Sequence, residues 1–68
     1  MPKVRDAMRL VEADGWRLVR IRGSHRHFHH PTKPGTVTIP GKASKQVPAW
    51  LWHSILIQAG LREQDGQR

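Results

Sequence analysis

The two ends of the chain carry apolar residues at helical spacing. Near the start they recur at i, i+3, i+4 and i+7, which is the stripe of an amphipathic helix. These positions are Val4, Ala7, Met8 and Val11. Near the end the same spacing is repeated by Trp52, Ile55, Leu56 and Ala59. Pro48 suits the first turn of this second helix, since a proline there removes no helical hydrogen bond.

Each predicted helix ends at a glycine followed by an apolar residue. The first stops at Asp14–Gly15–Trp16 and the second at Ala59–Gly60–Leu61. Glycine takes the left-handed conformation after the last helical turn, and the apolar residue that follows can fold back on that turn. We therefore expect Trp16 to fold back on Val11, and Leu61 on Leu56.

Between the helices the apolar pattern shortens to a period near two, which is typical of strands. Gly23 separates the first two predicted strands, a loop at Pro31–Gly35 precedes the third, and Pro40–Gly41 ends it. The predicted strands are Trp16–Arg22, Ser24–His30 and Thr36–Ile39.

This order predicts an α+β fold, α-β-β-β-α, with a three-stranded antiparallel sheet and both helices on one face. Phe28, Val37 and Ile39 should point toward the helices, which leaves the other face polar and basic. We expect one domain over residues 1–61 and a flexible C-terminal tail over residues 62–68.

The charge of the chain indicates what kind of partner it binds. The chain has 12 Lys and Arg against 5 Asp and Glu, which gives a formal charge of +7. No carboxylate lies between Gly15 and Arg62. A field of one sign attracts polyanions, so the expected partner is a nucleic acid or an acidic protein. The absence of cysteine, of a long apolar stretch and of a signal-peptide pattern favours a cytoplasmic domain without membrane contact.

Four histidines crowd the segment Arg22–His30, and three interpretations are open. His25, His27 and His29 would share one strand face and could bind a metal, but no carboxylate or thiolate stands near and the arginines repel cations. Alternatively the histidines are solvated, with His30 hydrogen-bonded in the turn and His53 exposed on the second helix.

The third interpretation is acid–base catalysis on RNA, which supplies its own nucleophile and needs neither a metal nor a cofactor. Histidine can accept or donate a proton near neutral pH. Arg22 and Arg26 could hold the phosphate, with Ser24 as a further donor. From the residues alone, a non-catalytic RNA-binding module and a metal-free ribonuclease remain equal alternatives.

Two tryptophans of the second helix are candidates for stacking on bases. Trp52 lies on the apolar stripe, so we expect it in the core. Trp50 lies off that stripe and could contact RNA or a protein.

Taken together, the ordered motifs resemble those of the HicA toxin family. The resemblance runs from about Val4 to Leu61 and rests on these blocks: Gly15–Trp16, Arg22–Gly23–Ser24–His25, Phe28–x–His30–Pro31, Lys33–Pro34–Gly35, Val37–Thr38–Ile39–Pro40 and Ser54–Ile55–Leu56–x–x–Ala59–Gly60–Leu61.

This resemblance implies a double-stranded-RNA-binding-domain-like fold and an mRNA interferase, the toxin of a bacterial toxin–antitoxin pair, which cuts mRNA without a metal. It implies that His25 is catalytic and that an acidic HicB-like antitoxin covers this region. We expect Gly23 to shape the turn. The expected RNA contacts are Arg22, Ser24, Arg26, Lys33 and Lys42. His27 and His29 receive no role.

Overall fold

The computed structural model describes residues 2–62. It contains helix α1 (Val4–Ala13), strands β1 (Arg17–Arg22), β2 (His25–His29) and β3 (Val37–Pro40), and helix α2 (Ala49–Gln58). The predicted α-β-β-β-α order is confirmed. The predicted tail over 62–68 lies, apart from Arg62, outside the described residues.

Both helices end as their sequences predict. The Trp16 N–H donates to the Val11 carbonyl at 3.0 Å, and the Leu61 N–H donates to the Leu56 carbonyl at 2.9 Å. Gly15 and Gly60 have φ values of +106° and +71°, the left-handed region that glycine adopts without a steric cost. At the other end of α2 the prediction was one residue off, since Pro48 is the N-cap and the helix begins at Ala49.

The sheet is antiparallel in the order β1-β2-β3, with β1 at one edge. Its inner face meets both helices in one apolar core, and Phe28, Val37 and Ile39 are fully buried there, as predicted. The other core residues are Val4, Ala7, Val11, Trp16, Val47, Ile55 and Ala59. Trp52 is half-buried and packs against this core. We call the opposite, helix-free face of the sheet the open face.

A β-bulge interrupts the pairing of β1 with β2. Leu18 lies opposite Phe28 and Arg20 lies opposite His27, so Val19 is the extra residue. Because a bulge inserts one residue, it reverses the side-chain alternation beyond it. Leu18 and Ile21 consequently share the inner side of the sheet.

The loop between β3 and α2 is fixed to the start of α1. The Lys45 carbonyl accepts from the Val4 N–H at 2.8 Å, and the Ala43 carbonyl accepts from the Arg5 N–H at 3.0 Å. The first N–H groups of a helix lack partners within it, so this loop completes α1. Neither helix of the described residues is long and apolar enough to cross a membrane.

Candidate functional site

The open face carries three arginines of β1, each opposite a histidine of β2. The register pairs Arg17 with His29, Arg20 with His27 and Arg22 with His25. Side chains directly opposite in an antiparallel pair point to the same face, with Cβ atoms about 4.5–5.5 Å apart. We call these three pairs the Arg–His ladder. The Arg17 guanidinium reaches back to the end of α1, where its Nη1 donates to the Trp16 carbonyl at 3.2 Å and to the Glu12 carbonyl at 3.5 Å. The acidic residues of the described chain lie on α1 or at its end, so no carboxylate lies on the two strands of the ladder.

His25 lies at the end of this ladder, directly after a two-residue turn. Gly23 has φ of +60°, as the first central residue of a type II′ hairpin turn requires, and Ser24 completes the turn. The predicted strand Ser24–His30 therefore begins one residue later, at His25. His25 and Arg22 are both exposed. The imidazole is therefore on the open face and accessible to a polynucleotide.

The loop after β3 lies against this turn. The Gly41 N–H donates to the Ser24 carbonyl at 2.9 Å, and His25 is the register partner of Pro40. Lys42 follows directly and is exposed. The structure therefore brings Arg22, Ser24, His25 and Lys42 to one end of the sheet.

Arg26 lies near this end but on the inner side of the sheet, opposite the buried Ile39. Its Nη1 donates to the Gly41 carbonyl at 2.7 Å. This bond joins β2 to the loop after β3 and holds the loop close to Ser24. A guanidinium has five N–H donors, so the predicted phosphate contact would use the others.

Lys33 lies in the loop beyond the opposite end of β2, and the strand alone spans about 13 Å from His25 to His29 at 3.3 Å per residue. Its ammonium forms an ion pair with Asp14 and donates to the Ala59 carbonyl at 3.1 Å. The hydrogen bond from Lys33 holds the pKa of Asp14 below its usual 3.8. Lys33 therefore joins the ends of both helices, which sequence reasoning missed because the partners are 19 and 26 residues away.

His30 has a structural role, and the prediction that it hydrogen-bonds in the turn is confirmed. Its Nδ1 accepts from the N–H groups of Thr32 at 3.0 Å and Lys33 at 3.1 Å. The proton is consequently on Nε2, which donates to the Asp14 carbonyl at 2.8 Å. The ring also meets Trp16 edge to face, with centroids 5.3 Å apart.

The remaining histidines are placed as expected for a strand and a helix surface. His27 lies within hydrogen-bonding distance of the Thr38 hydroxyl, at 3.2 Å, while His29 and His53 are exposed. His25, His27 and His29 do share one face, as the alternation predicts. Among residues 2–62 no three His, Asp or Glu side chains converge in a geometry that could hold a metal.

The outer edge of β1 is the accessible edge of the sheet. At the other edge, the side chain of Gln58 accepts from the Thr38 N–H of β3 at 3.0 Å. Every residue of β1 is exposed, and its apolar side chains Leu18, Val19 and Ile21 are 41%, 51% and 56% exposed. Exposed apolar residues on an edge strand are typical of a surface that another chain covers.

The fold and the Arg–His ladder define a class: a small basic α+β protein with an accessible histidine on the helix-free face of its sheet. A family model described as the HicA toxin of bacterial toxin–antitoxin systems matches residues 4–61 of the 68-residue chain. A search of curated proteins gave no match.

The chain therefore belongs to the HicA toxin family. Its role is that of the toxin in a bacterial toxin–antitoxin system, and membership implies a cognate antitoxin.

Proposed function

We propose that this toxin is a metal-independent endoribonuclease, an mRNA interferase, in which His25 is the catalytic residue. The observation that carries the proposal is the position of His25. Its imidazole is exposed, lies opposite Arg22 and adjoins a glycine turn, and neither strand of this hairpin contains a carboxylate. This arrangement suits a substrate that is a polyanion and brings its own nucleophile.

In the proposed reaction His25 removes the proton of a ribose 2′-hydroxyl. The 2′-oxygen then forms a bond to the adjacent phosphorus, while the bond from phosphorus to the 5′-oxygen of the next nucleotide breaks. That oxygen takes up a proton from solvent and leaves as a 5′-hydroxyl. The products are a 2′,3′-cyclic phosphate and a 5′-hydroxyl end.

The phosphate contacts that fit this site lie around the same turn. The Arg22 guanidinium can pair with two phosphate oxygens, and its side chain is on the same face as His25. Ser24 and Lys42 are exposed donors at that end of the sheet. Arg26 and Lys33, the other predicted contacts, already donate hydrogen bonds within the protein. For that reason we place Arg26 and Lys33 after Arg22, Ser24 and Lys42 as candidate RNA contacts.

The test compares two histidines of one strand. His25→Ala should reduce cleavage of labelled single-stranded RNA by about 10²-fold or more, because a positioned general base contributes at least that factor. His29→Ala is the matched control, since His29 is exposed on the same face at the far end of β2. Cleavage is measured on gels with a chelator present.

The outcomes separate the proposal from its alternatives. Wild-type protein that shifts RNA on a gel but never cuts it would be a non-catalytic RNA-binding module. A cutting rate in His25→Ala equal to that of the wild type would refute the assignment of His25. DNA of the same sequence should be bound and left intact, because it has no 2′-hydroxyl.

The antitoxin of this pair is proposed to be an acidic, HicB-like protein that covers the Arg–His ladder. Charge complementarity supports this choice, since the ladder presents three arginines. The exposed Leu18, Val19 and Ile21 offer apolar area along the same edge strand, with Leu18 and Ile21 on its inner side. With mRNA as substrate, the toxin would act in the cytoplasm.

A further inference from the structure

Trp50 is the most exposed large apolar side chain of the described residues, at 70%. The other two tryptophans differ from it, since Trp16 is fully buried and Trp52 is half-buried against the core. Trp50 lies in the first turn of α2. A single exposed aromatic residue is unremarkable by itself. Trp50, however, lines a surface pocket that also contains a cation.

Beside Trp50 the surface contains a pocket of about 240 Å³. Its walls are mainly apolar and include Pro40, Pro48 and Leu51, while Lys45 contributes a cation at the rim. Pockets for drug-sized ligands measure about 300–1,000 Å³, so this one suits a single ring system. An aromatic wall with one cation matches a planar base attached to a phosphate.

The position of this pocket connects it with the proposed catalytic turn. Pro40, one of its walls, is the register partner of His25, and Cα atoms of such partners are about 4.5–5.5 Å apart. Gly41, another wall, donates its N–H to the Ser24 carbonyl at 2.9 Å. The pocket therefore lies at the His25 end of the sheet but on the side that carries the helices, whereas the imidazole lies on the open face.

The start of α2 adds a local preference for anions. Pro48 provides no side-chain cap, and the first turn contains no acidic residue. The first N–H groups of a helix carry partial positive charge and favour a phosphate. A neighbouring nucleotide can thus place its base against Trp50 and its phosphate near Lys45.

We propose that Trp50 and this pocket form a nucleobase-binding subsite for a nucleotide of the same RNA strand, which passes from the cleaved phosphodiester around this end of the sheet. The inference rests on the proposed function, namely that RNA binds at the His25 end of the sheet. The subsite gives the toxin an anchor for single-stranded RNA, because a base must be unpaired to stack on an indole.

The probe is a fluorescein-labelled, single-stranded 2′-O-methyl oligoribonucleotide, which has no free nucleophile and remains intact during titration. Trp50→Ala should weaken its binding by about 5- to 150-fold, the usual range for one stacked base. Trp50→Phe should retain most of the affinity. Ile57→Ala is the matched control, because Ile57 is a partly exposed apolar residue at the far end of the same helix.

Tryptophan emission gives an independent readout. Since Trp50 is the most exposed of the three indoles, binding of the oligonucleotide should quench wild-type emission and leave that of Trp50→Phe nearly unchanged. Thermal unfolding of each variant verifies that the fold is intact.

The results distinguish this inference from the proposed function. If wild-type protein cuts RNA and Trp50→Ala binds the probe as tightly as wild type, the subsite is refuted while the ribonuclease stands. Loss of antitoxin binding without loss of probe binding would make Trp50 a protein contact and also refute it. A wild-type protein that binds no oligonucleotide overturns both.

Discussion

Replacing Gly15 by alanine should remove a large part of the stability of this domain. The φ of +106° at Gly15 costs an alanine about 1–2 kcal/mol. An added Cβ would also lie 2.7 Å from Nε2 of His30, which is too close for any real contact. The imidazole cannot simply turn away, because both of its nitrogens are hydrogen-bonded to the backbone.

Displacing the ring would break its bond to the Asp14 carbonyl, which contributes about 0.5–1.5 kcal/mol. It would also disturb the edge-to-face contact with Trp16, worth a similar amount. We therefore expect Gly15→Ala to lower the free energy of unfolding by about 2–5 kcal/mol. A core of this size supplies about 3–5 kcal/mol in total. At about 4–8 °C per kcal/mol, Tm should fall by about 10 °C or more.

The matched control is Gly35→Ala. Gly35 also has a positive φ, +86°, but a Cβ there meets no atom within 4 Å. This variant should show the backbone cost alone, about 1–2 kcal/mol. Urea unfolding followed by far-UV circular dichroism measures both. Equal losses in the two variants would refute the role assigned to His30.

A double-mutant cycle measures the steric clash between the Cβ added at position 15 and the ring of His30. His30→Ala removes the ring that the new Cβ would strike, so adding Gly15→Ala to it should cost only the backbone term. The two changes should be non-additive by about 1 kcal/mol or more, as expected for groups in contact. Additive losses would mean that the side chains at 15 and 30 do not interact.

Two further predictions concern the helix ends and the edge strand. Lys33→Met should destabilise the fold at neutral pH, since the pair with Asp14 stabilises it while the carboxylate is ionised. Because the pKa of Asp14 is lowered, this stability is present above the ordinary value of 3.8 and is lost as pH falls through the native value, so the difference between wild type and variant in urea unfolding should shrink in acid. The difference that remains in acid reports the bond from Lys33 to the Ala59 carbonyl, which does not depend on Asp14. Ile21→Glu should change the free energy of unfolding by about 0.5 kcal/mol or less, because this side chain is 56% exposed. It should nevertheless weaken the complex with the antitoxin in a pull-down of the purified pair, and an unchanged complex would place the interface elsewhere.

The sequence predicts those parts of the fold that depend on local rules. Gly15 and Gly60 mark helix ends because the left-handed conformation after a helix is a local requirement, and both ends are confirmed. Phe28 was correctly placed in the core, since it alternates with histidines on β2. The helix ends and the alternation of β2 together determined most of the fold.

The parts that sequence reasoning missed depend on contacts between distant segments. Lys33 was predicted to contact RNA, yet its ammonium reaches Asp14 and the carbonyl of Ala59 at the ends of both helices. Arg26 is adjacent to His25 in sequence but lies on the other side of the sheet and bonds to Gly41. A count of local charges does not reveal such partners. The catalytic role of His25 and its RNA contacts stay predictions.

The bulge at Val19 explains why the basic face is basic. In an uninterrupted strand, strict alternation would put Arg20 and Arg22 on the same side as Leu18, and Arg17 on the other side with Ile21. The extra residue shifts the register, so that all three arginines lie opposite a histidine on the open side of the sheet, with the Arg17 guanidinium turned back to the carbonyls of Glu12 and Trp16. One inserted residue thus places Leu18 and Ile21 on one face of β1 and the arginines on the other. It concentrates the positive charge on the face that carries His25.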